Sequence, residues 1–328
     1  MKISSPVFLS FLVASAHGAT YTISDIVAGP KFFDFFEFQT IPDPVHGRVN
    51  YVDRTTALKQ NLTFAGDANS IVRADFKTVL NPKGPGRNSV RIRSKKTYMT
   101  HVAVFDVHHM PQGCGTWPAI REMNVSQWPN GGGLVDMLEG VNDQTPNVVT
   151  LHTNEGCTMP ASRDQTGISR QNNCNRLINN NAGCGVESPT TKSYGPPFNS
   201  NGGGWYIVER ASTYIKIFFW PRDSTSVPDD VRNGSISINT DMWGTPIAFF
   251  PDTSCNMTQQ FSNHNIVIGL SLCGDWAGGL SFGESGCPGN CVDFVNNNPG
   301  AFTDAYFDFA SIRIYQSRFK RNVIETNS

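Results

Sequence analysis

The sequence predicts an all-β protein, a sandwich of two antiparallel sheets. Three observations point there. Apolar residues recur with period two in several short runs, turn-forming clusters separate those runs, and no stretch of useful length carries a helical stripe. Period two belongs to a strand with one face in a core and the other in solvent. Short strands at this spacing fit two packed sheets.

From the N-terminus, Met1-Lys2-Ile3 precedes an apolar run from Val7 that ends in Ala14-Ser15-Ala16. That pattern reads as a secretory signal peptide over residues 1–19 with an A-x-A cleavage site. The run is too short to span a bilayer, and no later segment reaches the roughly 18 uncharged residues required. The expectation is a secreted, extracellular protein suited to association with a cell wall, with residues 20–328 forming one domain. Roughly 300 residues is long for a sandwich, but all-β domains reach that size.

The alternating runs lie at 101–107 (His-Val-Ala-Val-Phe-Asp-Val), 214–218 (Tyr-Ile-Lys-Ile-Phe) and 311–315 (Ser-Ile-Arg-Ile-Tyr). Pro82-Lys83-Gly84-Pro85-Gly86, Pro129-Asn130-Gly131-Gly132-Gly133 and Asn201-Gly202-Gly203-Gly204 are turns between strands. Residues 158–201 read as a loop-rich elaboration, and almost no helix is expected. Eight cysteines, at 114, 157, 174, 184, 255, 273, 287 and 291, predict four disulfides and no free thiol in an exported chain. Spacing alone does not give the pairing; Cys174 with Cys184 is the expected local pair. Cys287 and Cys291 lack the partners of a zinc site, so neither metal nor organic cofactor is expected. Sequons at Asn61, Asn124, Asn233 and Asn256 agree with export.

A formal net charge of -1 and the absence of a Lys/Arg block argue against nucleic acid or an anionic membrane as partner. The one basic cluster, residues 91–96, is interrupted by other residue types. Charged residues make up 16%, below the usual quarter, which suits a neutral, turn-rich protein.

Residues 134–139 read Leu-Val-Asp-Met-Leu-Glu. In a strand, Leu134 and Asp136 share a face and strict alternation would add Leu138. A β-bulge at Met137-Leu138 instead returns Glu139 to the side of Asp136. An isolated Asp-x-x-Glu is ordinarily a solvated edge, but Trp117-Pro118 and Trp128-Pro129-Asn130-Gly131 lead into this one. Aromatic rings beside carboxylates suit a sugar cleft, where rings stack on pyranose faces and acids take hydroxyls.

At this point the chain, from about Ile41 to Gln316, resembles the secreted fungal laminarinases of glycoside hydrolase family 16, the endo-β-1,3(4)-glucanases. The resemblance is carried by Asp43-Pro44-Val45-His46-Gly47-Arg48-Val49-Asn50-Tyr51-Val52-Asp53, Met110-Pro111-Gln112-Gly113-Cys114-Gly115-Thr116-Trp117-Pro118, Leu151-His152-Thr153, Leu272-Cys273-Gly274-Asp275-Trp276-Ala277-Gly278 and Ala301-Phe302-Thr303-Asp304-Ala305-Tyr306. It implies a jelly-roll sandwich with a concave glycan cleft, retaining hydrolysis by two glutamates in E-x-D-x-x-E, and a laminarin-like or mixed-linkage β-glucan as the partner of a monomer. Residue by residue, Glu139 falls on the acid/base and Asp136 on the assisting acid. Trp128 and Trp276 fall on stacking platforms, Arg91 on a glycone-side hydrogen-bonding position and His152 on the leaving-group side. Trp117, Trp205 and Trp220 read as core.

Two positions depart from the family pattern. The nucleophile position holds Leu134, after one extra glycine, and a stacking tryptophan is replaced by Arg121. Retaining hydrolysis needs a second carboxylate about 5 Å from the first, and leucine cannot supply it. Glu122 is the nearest other acid in sequence. Three readings follow: an active endo-glucanase if the encoded protein differs at these positions, a catalytically dead, lectin-like β-glucan binder, or a structural sandwich with neither property.

Overall fold

The computed structural model describes residues 20–317, so the stretch read as a signal peptide lies outside the described residues. Two large sheets dominate. One has eight strands, in the order Ile168–Ser169, Cys184–Glu187, Val148–His152, Leu134–Glu139, Thr116–Met123, Asn265–Leu272, Arg91–Ser94 and Phe36–Phe38. The other has nine and is built around Tyr306–Ser317, His101–His109, Gly204–Arg210 and Tyr214–Pro221. The three alternating runs all fall in this second sheet. Pairing within both sheets is antiparallel, giving the expected jelly-roll sandwich.

Alternation decides which side chains hold the sheets together. Ile92, Ile120, Val135, Leu151, Ile266 and Ile268 of the eight-stranded sheet point inward and join Phe105, Val107, Tyr206, Val208, Ile312 and Ile314 of its partner in one buried cluster. Each such aliphatic side chain contributes about 2 kcal/mol on burial, so the inner faces carry most of the stability. The nine-stranded sheet is covered on its far side too, by Val104, Trp205, Phe218, Trp220 and Trp243. Trp205 and Trp220 are therefore core residues, as expected. The outer face of the eight-stranded sheet carries charged and polar side chains.

Three expectations need correction. Helix is more frequent than the sequence suggested: seven α-helical and six 3-10 segments occur among the described residues, none longer than seven residues. Five of them begin at side-chain caps, as where Asp53 accepts from the Thr56 N–H at 2.7 Å and Asn290 from the Asp293 N–H at 2.9 Å. A single capped turn needs no amphipathic stripe, so periodicity cannot reveal it. Residues 158–201 are more than a loop, because Ile168–Ser169 and Cys184–Glu187 extend the eight-stranded sheet. Such short strands leave no readable period. One minor pair, Val49–Tyr51 with Arg87–Ser89, is parallel.

Four disulfides form, Cys114–Cys287, Cys157–Cys255, Cys174–Cys184 and Cys273–Cys291, and no free cysteine remains. The first and last tie the helical segments between residues 274 and 297 to the ends of Thr116–Met123 and Asn265–Leu272. Of the sequons, Asn61, Asn233 and Asn256 are exposed and Asn124 is half-buried.

Candidate functional site

Leu134–Glu139 pairs with Thr116–Met123 so that Leu134 lies opposite Met123 and Asp136 opposite Arg121; the register then shifts, with Leu138 opposite Ile120 and Glu139 opposite Ala119. Met137 and Leu138 both enter the inter-sheet core. The bulge thus lies where the alternation required it, and Leu134, Asp136 and Glu139 share the outer face. Gly132 and Gly133, with φ of +79° and +67°, lead into the strand. A Cβ on Gly133 would stand 2.5 Å from Phe261 Cδ1 and 2.7 Å from the Gln260 carbonyl, so the close approach requires glycine. The extra glycine is absorbed in this loop, and Leu134 keeps its two-residue offset from Asp136.

Cross-strand register spreads the site over the sheet. Thr150, Asp136, Arg121, Val267, Arg93 and Glu37 form one row. His152, Leu134, Met123 and Asn265 form the next, and Ala119, Gly269 and Arg91 flank the first on its other side. Arg91, Trp117, Arg121, Asp43, Tyr51 and Ser271 line a depression over these rows. The sequence-selected residues therefore stand on one face, with Trp276 and Trp128 reaching it from neighbouring segments.

Arg121 sits between the two acids. Its Nη2 donates to Glu139 Oε1 at 2.5 Å, and its Nε is 2.8 Å from Asp136 Oδ1, a charge contact without hydrogen-bond alignment. Burial pushes the Asp136 carboxyl well above the usual carboxylate range, and Arg121, which opposes the shift, does not outweigh it. Asp136 is accordingly disposed to hold a proton. The guanidinium itself is shifted upward: burial would lower it, but Asp136 and Glu139 together hold its charge.

Glu139 Oε1 also accepts from Trp117 Nε1 at 2.9 Å, and Trp117 meets Trp276 edge-on at 5.6 Å between ring centroids. Trp117 is thus a site residue, contrary to its reading as core. Its two-residue spacing from Ala119 and Arg121 was the available signal. Trp276 is 40% exposed, which leaves ring surface open. Arg91 is buried, donates from Nε to Gln39 Oε1 at 2.9 Å and packs its Nη2 near Met123 Sδ. His152 places Nε2 3.6 Å from Asp136 Oδ2 and shares a 3.0 Å hydrogen bond through Nδ1 with Asn181 Oδ1. Burial lowers the His152 pKa, favouring the neutral ring.

Leu134 is 4% exposed and packs with Met123 and Val267, against which Trp128 rests. The position that the family resemblance predicts for the nucleophile is thus apolar. Glu122, opposite Val135, points the other way into the core, where His101 Nε2 lies 2.7 Å and Arg210 Nη1 3.2 Å from its carboxylate. Burial alone would raise its pKa, but the hydrogen bond to His101 and the charge of Arg210 outweigh burial and hold it at about 2. It cannot supply the second acid of the site. Among the described residues, Asp136, Glu139 and His152 also form a group whose ligand atoms are close enough together for a metal ion, all within 4.8 Å. Arg121 already provides their positive charge.

The profile of the XgeA-like, catalytic GH16 domain matches residues 36–315. The chain is 42% identical over 300 residues to a probable glycosidase of Schizosaccharomyces pombe, covering 90% of this chain and 70% of the relative. It is 36% identical over 312 residues to the endo-1,3(4)-beta-glucanase xgeA of Emericella nidulans, covering 92% of this chain and 48% of that protein. The chain thus spans about half the length of that relative, as it does for a probable endo-1,3(4)-beta-glucanase of Aspergillus clavatus, at 46%. In structure, GH16 laminarinase 16A from Phanerochaete chrysosporium superposes with a TM-score of 0.90 at 58% identity, covering 91% of this chain and all of that one. That laminarinase holds two β-glucans, 6-O-glucosyl-laminaritriose, in donor and acceptor sites. With a family profile over most of its length and two sheets arranged as in that laminarinase, the chain belongs to glycoside hydrolase family 16, among its XgeA-like catalytic domains.

Proposed function

We propose that this chain acts on β-1,3(4)-glucan, the family reaction being hydrolysis of internal bonds with retention, and that it is an exported glycoprotein. The observation that carries the reading is the placement of Glu139: the bulge turns it to the open face, Trp117 orients it, and Trp276 offers an aromatic surface beside it. Glu139 is suited to protonate a leaving glycosidic oxygen, and Asp136 to govern the proton and charge next to it. Four disulfides and three exposed sequons support export.

A second reading, glucan capture without cleavage, rests on residue 134 alone. The covalent intermediate needs a second carboxylate close to Glu139, and Leu134 in its apolar setting cannot form it. Hydrolysis then belongs to a form carrying glutamate at 134 and tryptophan at 121, and the chain as it stands binds.

The test is release of reducing sugar from laminarin and barley β-glucan by recombinant protein whose mass confirms Leu134. No release above a buffer blank is expected, together with retained binding. The Leu134→Glu, Arg121→Trp double variant should hydrolyse with retention, and adding Glu139→Gln should abolish that activity. No deletion of Gly133 is needed, because residue 134 already keeps its offset from Asp136. Robust cleavage by the unaltered chain would refute the assignment of the nucleophile position, and absence of any glucan binding would refute the proposed substrate.

A further inference from the structure

Leu134–Glu139 pairs with Val148–His152 only as far as Asp136, which lies opposite Thr150. Beyond that pair the bulge begins, and the Met137 carbonyl and the Glu139 N–H, one on each side of Leu138, lie outside that ladder. One side chain takes both. Asn147 Oδ1 accepts from the Glu139 N–H at 2.9 Å, and Asn147 Nδ2 donates to the Met137 carbonyl at 2.8 Å. A carboxamide carries the acceptor and the donor of a peptide group, so Asn147 stands in for a missing ladder partner.

The amide is itself held in place. Asn147 is fully buried; its N–H donates to Ser193 Oγ at 3.0 Å, and its carbonyl accepts from the Ser188 N–H at 2.9 Å. Ser193 Oγ donates in turn to the Thr190 carbonyl at 2.6 Å. What the clamp decides is the side on which Glu139 emerges. Strict alternation over residues 134–139 would put Glu139 on the face opposite to Asp136. With the bulge held at Met137, that residue and Leu138 both enter the core, and Glu139 meets Trp117 Nε1 at 2.9 Å on the open face. A strand without the bulge would leave the buried amide of Asn147 without these two partners, which burial penalises.

We propose that Asn147 is the positioning residue for Glu139: its carboxamide fixes the bulge at Met137 and so keeps the acid on the open face against Trp117. The inference rests on the proposed role of Glu139 and adds to it the group that aims the acid. Asn147 is buried, and its side-chain bonds at the bulge go to backbone groups, so it acts on Glu139 through the strand. Trp128 and Trp276 lie on other segments. Loss of the clamp should therefore disturb the aim of the acid far more than the hold on glucan.

The test is nuclear magnetic resonance of the six indole N–H groups in the unaltered protein and in Asn147→Leu and Asn147→Asp, with Trp117 assigned through Trp117→Phe. Leucine removes both bonds at similar volume, whereas aspartate keeps an acceptor for the Glu139 N–H and loses the donor to Met137. The expected result for Asn147→Leu is an upfield shift and faster hydrogen exchange of the Trp117 N–H. Asn147→Asp should show a smaller change, and Trp205, Trp220 and Trp243 should stay in place in both. In the Leu134→Glu, Arg121→Trp background, Asn147→Leu should lower kcat about 100-fold with little change in KM. A lowered melting temperature with the Trp117 signal unmoved would overturn the proposal, because Asn147 would then be an ordinary buried amide. So would a common displacement of all six signals, which would mean a general disturbance of the sheet. Where Asn147→Leu does not fold, Asn147→Asp decides by the same signal. Absence of hydrolysis in that background before Asn147 is changed would count against the proposed activity instead, and the Trp117 signal would still decide the placement of Glu139.

Discussion

At the scale of single residues, charge placement dominates. Arg121 lies between Asp136 and Glu139, and its removal would leave two adjacent carboxyl groups without their bridging cation. Breaking a buried ion pair from one side typically costs about 3–5 kcal/mol. Arg121→Ala is therefore expected to lower the urea midpoint at neutral pH, and Arg121→Ala with Glu139→Gln should recover part of the loss by removing the carboxylate left without its partner. Glu122 offers a pH-dependent counterpart. Its folded pKa of about 2 lies below the ordinary carboxylate value, so its contribution is full above the unfolded pKa and is lost as pH falls through about 2. Thermal denaturation between pH 5 and 2 should show Glu122→Gln losing less stability than the parent, by about 3 kcal/mol over that window. Equal pH slopes would show that His101 and Arg210 do not hold that proton equilibrium.

At the scale of elements, the bulge at Met137 and the cross-linked loop at 174–184 set the site. Deleting Met137, the extra residue of the bulge, would leave strict alternation with Glu139 still on the outer face, two residues from Asp136 and opposite Ala119. In an otherwise active Leu134→Glu, Arg121→Trp background, this deletion should keep glucan hydrolysis measurable while lowering stability by about 2–5 kcal/mol, because the Met137 side chain leaves the core. The Cys174–Cys184 bridge closes a short loop whose Asn181 reaches His152. Replacing both cysteines with serine should lower stability by about 2–3 kcal/mol. The same change should free the His152 ring, which would appear as a changed tautomer signature in nitrogen-resolved spectra. An unaltered His152 signal in that variant would show that Asn181 is held by other contacts.

At the scale of the whole molecule, the two sheets divide the work. The inner faces and the covered far side of the nine-stranded sheet make the core, while the outer face of the eight-stranded sheet carries the polar rows. Four cross-links secure the connections, two of them beside Trp117 and Trp276. Thiol titration of the denatured, unreduced protein should find no free group, and two or more would contradict the pairing. Because Cys114–Cys287 and Cys273–Cys291 anchor the segment bearing Trp276, mild reduction should weaken glucan binding before the sandwich unfolds, followed by circular dichroism and titration in parallel.

The sequence by itself determined the class of fold, the number of disulfides and the shared face of Leu134, Asp136 and Glu139, because period-two alternation and cysteine parity are local properties. It even required the bulge, since Glu139 can reach Asp136 in no other way. Tertiary structure decided which residues lie next to these across strands. Alternation places Glu122 on the opposite side from Arg121 but does not say which side is core, so only the packed sheets exclude Glu122 from the site. Trp117 was misread for the same reason: a tryptophan suits a core or a cleft, and the choice depends on which face its partners bury. The clasp of Arg121 on both acids, the pairing of six of the eight cysteines and the alignment of Arg93 and Glu37 with Asp136 all join residues far apart in the chain. Such contacts depend on register between strands, which no single segment encodes.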